Sequence, residues 1–311
     1  MALSEGPEAC AVWARAGDGV RLRLVHWPNV DAKATVLLFP GRTEYCEKYG
    51  RVAADLLGQG YTVLGIDWRG QGLSDRVAED PRVGHVSAFA DYQRDVAAFN
   101  AHLGTLDLPG PRYLLAHSMG GCIGLRALLQ GLAVRRAVFS APMWGIYVAP
   151  FLEPVARILP GIAESLGQEM RTVPGTRATG SIIDTPFLIN LLTADRDHYD
   201  YFIAQSEART EFALGGPTLH WFAEAREEMQ ALFDAPRPDT PVATFLGTRE
   251  MVVEPEAIRA MHENWLSGEL HIVDGGKHEM MMETPDIRNA FFQGAFSFFE
   301  TGTVAVPQLS I

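Results

Sequence analysis

The sequence predicts an α/β fold, a doubly wound and mostly parallel sheet with an inserted helical lid. Three observations predict it. Short apolar runs alternate with helical stretches through residues 20–140. The alternation lapses from about residue 143 to 233, where Pro150, Pro154, Pro160, Pro174 and Pro186 break up helical pieces. It resumes after Pro241. Strand–helix alternation on both sides of a helical insert implies one layered sheet with a cover, not separate domains. The expected division is 1–142 for the first part of the core, 143–233 for the lid and 234–311 for the second part.

Each element has its own signal. Val20 to Trp27 alternates apolar and polar residues, as a half-exposed strand does. Ala34 to Phe39 is wholly apolar save one threonine and stops at Pro40-Gly41, as a buried parallel strand does. Tyr45 to Gly58 reads as a helix closed by glycine, and Tyr61 to Asp67 as a strand. Phe89, Tyr92, Val96, Phe99 and Leu103 recur every three or four residues, so Ser87 to Leu103 should be amphipathic helix. Tyr113–Ala116 and Arg136–Ser140 read as strands flanking a helix at Met119–Leu129. After the insert come a strand at Val242–Gly247, a helix at Pro255–Leu266, a strand at Leu270–Asp274 and a helix at Pro285–Phe299.

Composition bounds the function. The 311 residues carry 26 Lys+Arg against 38 Asp+Glu, a net charge of −12. With no basic cluster, nucleic acid is not an expected partner. An anionic membrane surface would repel the chain, so any membrane contact should be apolar and transient. Cys10, Cys46 and Cys122 are too scattered for a disulfide framework or a zinc site. The first 17 residues lack the apolar core of a signal peptide. No stretch reaches the ~18 apolar residues that a membrane span needs. The expectation is a cytoplasmic protein.

Ligand sites in such sheets lie at the carboxyl ends of strands, so chemistry should follow strands directly. Ala116-His117-Ser118-Met119-Gly120-Gly121 sits between a strand and a helix. A serine on that turn is exposed at the top of the sheet, flanked by small residues. Ala116 stands where the strict G-x-S-x-G pattern has glycine. A serine here could merely cap the helix, but a nucleophile needs a base, and one is at hand. His278 follows the last strand in Asp274-Gly275-Gly276-Lys277-His278. His117, next to Ser118, should point elsewhere and is read as structural. The acid should follow the preceding strand, in the chain order Ser, acid, His. Glu250 in Thr248-Arg249-Glu250-Met251 is the candidate, with Glu254 and Asp274 as alternatives. Two backbone donors are needed for an oxyanion. The Met119 N–H and the Arg42 N–H, from Pro40-Gly41-Arg42-Thr43-Glu44, are the candidates, and the Arg42 side chain has no part in this expectation.

These segments resemble the α/β-hydrolases, in the group of bacterial lysophospholipases, monoacylglycerol lipases and serine aminopeptidase-like hydrolases. The match is carried by Phe39–Glu44, Asp67-Trp68-Arg69-Gly70-Gln71-Gly72-Leu73-Ser74, His117–Gly121, Gly247–Val253 and Gly276–Glu279, in the family's order. Asn190–Asp195 and Leu214–Thr218 resemble the lid of bacterial lysophospholipases. Two positions depart from the pattern. Pro40-Gly41 replaces His-Gly, and Glu250 replaces aspartate. The resemblance implies a serine ester hydrolase working through an acyl-enzyme, with no metal or organic cofactor. The implied substrate is a glycerolipid with one acyl chain, a lysophospholipid or monoacylglycerol. Apolar lid residues should meet that chain, with Trp144, Tyr147, Phe187 and Leu191 as candidates among Ile146, Phe151, Leu152, Ile158, Leu159, Leu188 and Leu192. The rival readings are an aminopeptidase or amidase of the same fold, and a hydrolase-like ligand receptor without catalysis.

Overall fold

A computed structural model describes residues 3–176 and 185–305. One eight-stranded sheet runs through it. Its strands are β1 (Cys10–Arg15), β2 (Arg21–Trp27), β3 (Ala34–Phe39), β4 (Tyr61–Asp67), β5 (Arg112–His117), β6 (Arg136–Ser140), β7 (Val242–Gly247) and β8 (Gly268–Val273). They lie in the order 1-2-4-3-5-6-7-8, with only the β1/β2 and β2/β4 pairs antiparallel. The mostly parallel α/β sheet that the sequence predicts is therefore present.

The central strands β3, β4 and β7 are buried along their whole length. Both faces of the sheet are covered, so their sequences are continuous apolar runs and do not alternate. The covering helices are α1 (Gly50–Gly58), α2 (Asp91–Leu103), α3 (Met119–Leu129), α7 (Pro255–His262) and α8 (Pro285–Thr301). Between β6 and β7 lie α4 (Glu153–Ser165), α5 (Arg196–Ala208) and α6 (Leu219–Asp234). That stretch holds no strand among the described residues. Residues 177–184 of the expected insert, and 306–311 of the expected final part, lie outside the described residues.

The order of the strands places the site. From β3 the chain moves to β4, then returns to pair β5 on the other side of β3. With right-handed crossovers, this reversal puts α1 and α2 on opposite faces and opens a crevice where β3 and β5 end. The oxyanion-loop candidate follows β3, and Ser118 follows β5.

Several boundaries differ from the sequence expectation, each for a local reason. β1 was not foreseen: almost every residue of this edge strand is exposed, so it carries no inside–outside period. The Ser87–Leu103 helix starts at Asp91, after a turn in which the Asp91 N–H donates to Ala88. The Tyr45–Gly58 helix divides into a 3-10 turn, Cys46–Tyr49, and α1. α7 stops at His262, because the chain turns there and buries Trp265 while Leu266 stays exposed. Pro160 sits inside α4 and does not end it. The helix loses the bond that an N–H at position 160 would make to the Ala156 carbonyl, and continues.

Candidate active site

Ser118 occupies the turn between β5 and α3 with φ 50° and ψ −119°, a conformation that a residue with a side chain rarely adopts. Backbone bonds hold it there. Its N–H donates to Ser140 of the neighbouring strand, and its carbonyl accepts from Gly121, Cys122 and Met143. The side chain makes no capping bond to the helix. Capping is therefore not what Ser118 does. Close packing allows the turn. A Cβ on Gly120 would lie 2.2 Å from the Phe39 carbonyl oxygen and 2.4 Å from that of Pro40. Gly120→Ala should thus push β3 and α3 apart and cost about 3 kcal/mol. Denaturant unfolding would read it as a lower midpoint, and an unchanged midpoint would contradict the close approach.

The structure brings Ser118, His278 and Glu250 together. His278 Nε2 lies 2.9 Å from the Ser118 hydroxyl, and His278 Nδ1 lies 2.8 Å from Glu250 Oε2. A carboxylate only accepts, so Nδ1 carries the hydrogen and Nε2 is left to accept from the serine. Glu250 is itself held, because its Oε1 accepts the N–H groups of Val252 at 2.6 Å and Val253 at 3.1 Å. The loops that carry acid and base touch without side chains between them. A Cβ on Gly247 would lie 2.1 Å from the Gly276 carbonyl oxygen, which accepts the Arg249 N–H. The alternative acids lie elsewhere. Asp274 accepts from Thr248, and Glu254 precedes α7.

The electrostatics follow from burial and pairing. Burial alone would lower the His278 pKa, but the carboxylates around it, Glu250 foremost with Glu279 and Glu44, together make the net shift upward. Burial alone would raise that of Glu250, yet His278 and the two backbone donors bring it below the usual value. Each partner thus favours the charged form of the other. His117 is buried with its Nδ1 donating to the Ser140 carbonyl at 3.0 Å, as expected of a structural residue. Its ring nonetheless lies 4.7 Å from that of His278. Burial drives its pKa down to about 4, so it is neutral.

The loop after β3 is braced from below. The Trp68 indole N–H donates to the Pro40 carbonyl at 2.9 Å. Gln71 Nε2 donates to the carbonyls of Gly41 at 2.7 Å and Glu44 at 3.0 Å. Pro40 in place of histidine leaves these carbonyl contacts available. Among the described residues, neither the Arg42 N–H nor the Met119 N–H has a hydrogen-bond partner. Sequence reasoning gave Gln71, Glu44, Lys48 and Glu279 no role. Glu44 accepts from the Gly41 N–H and the Tyr49 hydroxyl. Lys48 Nζ donates to Glu44 at 2.8 Å and to Glu279, beside His278, at 2.6 Å. Burial opposes the Glu44 charge, but Lys48 and its other neighbours bring its pKa down to about 2. Burial and the nearby Glu44 raise that of Glu279. Glu44, His117 and Glu279 bring ligand atoms close enough for a metal ion, but the Lys48 ammonium already stands between the two carboxylates.

Above this floor lies a cavity of about 500 Å³. Ile146, Tyr147, Leu152, Leu159, Trp221 and Phe222 contribute to its wall. Of the four lid residues expected to meet substrate, Tyr147 lines it, while Trp144, Phe187 and Leu191 do not. Trp144 turns into the core, where its ring centroid is 5.3 Å from Phe139 and 5.7 Å from Trp265. Phe187 packs edge-on against Tyr199, and Leu191 is exposed where its neighbour Leu192 faces the cavity.

The chain matches the family described as serine aminopeptidase, S33, over residues 30–285. It belongs to that family of α/β-hydrolases. Among curated relatives, lysophospholipase L2 of Escherichia coli strain K12 is 33% identical over 303 residues, covering 91% of this chain and 85% of the relative. The monoglyceride lipase of Mus musculus is 22% identical over 279 residues, covering 88% and 84%. Among solved structures, a soluble variant of the monoglyceride lipase of Saccharomyces cerevisiae superposes with a TM-score of 0.73 at 18% identity, covering 96% of this chain and 98% of that one. The hydrogen-bonded chain of side chains sits at the carboxyl ends of the strands. No helix among the described residues is long and apolar enough to cross a membrane.

Proposed function

We propose that this carboxylic ester hydrolase acts on single-chain glycerolipids, as a lysophospholipase, through Ser118, His278 and Glu250. The hydrogen-bonded run from Glu250 through His278 to Ser118 at the floor of an apolar cavity carries the reading. The Ser118 oxygen attacks the ester carbonyl while His278 Nε2 takes its proton. The N–H groups of Met119 and Arg42 receive the negative oxygen of the tetrahedral intermediate. Its collapse breaks the bond to the leaving alcohol, which takes the proton back from His278. Water, deprotonated by the same nitrogen, then releases the fatty acid from Ser118. Glu250 holds the ring in the required tautomer and stabilises its cation.

The helices between β6 and β7 act as a lid over residues 143–233. Their inner side supplies the cavity wall, while Phe151, Ile158 and Leu188 face outward. Such apolar surface suits a transient contact with a lipid aggregate. The E. coli relative favours a lysophospholipid, and the mouse relative favours a monoacylglycerol. A panel of lysophospholipid, monoacylglycerol, short ester and aminoacyl amide, run on the purified protein, tests the reading. Preferential cleavage of the amide would overturn it.

Leu159 on α4 lines the cavity that Ser118 and His278 also line. Remote apolar contacts help only substrates long enough to reach them. Leu159→Ala should therefore lower kcat/KM for a long-chain ester by about tenfold, the worth of two buried methylenes. An acetyl ester should lose far less. Equal losses would make the helix a scaffold and not a selector.

A further inference from the structure

The cations with fully buried side chains among the described residues come with carboxylates. Arg23 lies 2.6 Å from Glu47 and 3.2 Å from Asp67. Arg69 lies 2.7 Å from Asp95 and 2.8 Å from Asp18. Lys48 is shared by Glu44 and Glu279. A charge taken from water needs such compensation. Arg42 and Arg76 are partly covered and have no carboxylate partner among the described residues, and of the two only Arg42 lines the cavity. Its Nη2 donates to the Gly215 carbonyl at 2.6 Å, and its guanidinium carbon lies 5.1 Å from the centre of the Trp221 ring. Its Nε is buried without a partner. Burial lowers its pKa to about 10, which still leaves it cationic at neutral pH.

The position of this cation is specific. The Arg42 residue is only partly covered and lines the cavity together with Ser118. It follows Gly41, where a Cβ would stand 3.1 Å from the Ser118 Cβ. Room is kept for its head: a Cβ on Gly84 would lie 2.1 Å from Nη2. In a chain of net charge −12, this is an uncompensated positive group beside the reacting serine. We propose that the Arg42 side chain recognises the phosphate of the substrate's headgroup and so makes phosphate-bearing single-chain esters better substrates than neutral ones. This rests on the ester-hydrolase reading above. A guanidinium meets phosphate oxygens through paired, charge-assisted hydrogen bonds. In a lysophospholipid the phosphate and the scissile ester share one glycerol, so both can occupy one cavity.

The test measures kcat/KM for a lysophosphatidyl ester and a monoacylglycerol of the same acyl chain, in the parent, Arg42→Met and Arg42→Lys. The parent should prefer the phosphate-bearing ester. Arg42→Met should shrink that preference by about tenfold or more, mainly through KM, since a charged hydrogen bond is lost. Arg42→Lys should keep part of it, supplying charge without the planar fork. A preference that survives Arg42→Met overturns the proposal. A second arm needs no variant. Glycerol 3-phosphate should compete with a neutral short ester in the parent, and glycerol should not. Equal inhibition by both overturns the proposal even if Arg42→Met fails to fold. A parent that cleaves none of these esters would refute the ester-hydrolase reading instead. Calorimetric binding of glycerol 3-phosphate to the parent would then still decide for or against the phosphate site.

Discussion

Ser118→Ala should lower ester hydrolysis by about 10⁴- to 10⁶-fold, with the protein still folded. In the proposed mechanism the Ser118 hydroxyl, 2.9 Å from His278 Nε2, forms the acyl-enzyme. Removal should not disturb the turn, because backbone bonds from Ser140, Gly121, Cys122 and Met143 hold it and the hydroxyl caps nothing. A residual rate is expected, since the Met119 and Arg42 N–H groups would still polarise a bound ester. A fluorophosphonate probe should modify the parent at Ser118 and leave the variant unlabelled. Turnover within tenfold of the parent, or labelling elsewhere in the variant, would remove Ser118 from the mechanism.

Glu250→Gln should have the second largest effect, a loss of about 10³- to 10⁴-fold in kcat. An amide can still meet Nδ1, but it can equally present its NH₂ group and favour the wrong tautomer. It also cannot stabilise the imidazolium. The pH profile gives the sharper readout. His278 must be neutral to act as a base, so activity falls as pH drops through its pKa. That pKa is raised, with Glu250 the leading opponent of burial, and the acid limb of kcat/KM should sit above the usual histidine value of about 6.5. Without the anion the pKa falls, the neutral form persists to lower pH, and the limb of the remaining activity moves down. Glu250→Asp keeps the charge but shortens the reach, so it should fall between the parent and Glu250→Gln. A Gln variant with parental kcat and an unmoved acid limb would show that the 2.8 Å contact to His278 does no catalytic service.

Those two residues were legible in the sequence because each stands directly after a strand. The strands were legible because buried parallel strands are short, mostly apolar runs, with β3 stopping at Pro40 and β7 at Gly247. Glu250 needed only its place after β7 and ahead of His278. The partners of Lys48 were hidden: one is Glu44, four residues away, but the other is Glu279, and nothing local ties positions 48 and 279 together. The same holds for Gln71, which sat within a matched motif without a role until the fold brought its amide under the loop after β3. β1 was missed because an exposed edge strand has no buried face to impose a period.

The lid residues divide in the same way. An apolar side chain between β6 and β7 must be buried somewhere, and the sequence says only that. Trp144 and Tyr147 are three residues apart, yet one ring packs on Phe139 and Trp265 while the other lines the cavity. An antiparallel bridge ties Ile146, between those two rings in the chain, to Val253 more than a hundred residues on. By itself, then, the sequence determined the sheet, the order of the loops that follow its strands, and which serine, acid and histidine could meet, because hydrophobic period and chain order are local properties. The tertiary structure alone decided which apolar rings form the cavity, how Lys48 ties two loops together, and that the Arg42 side chain stands there without a carboxylate. Those depend on contacts between residues far apart in the chain, and on the low dielectric that burial creates around them.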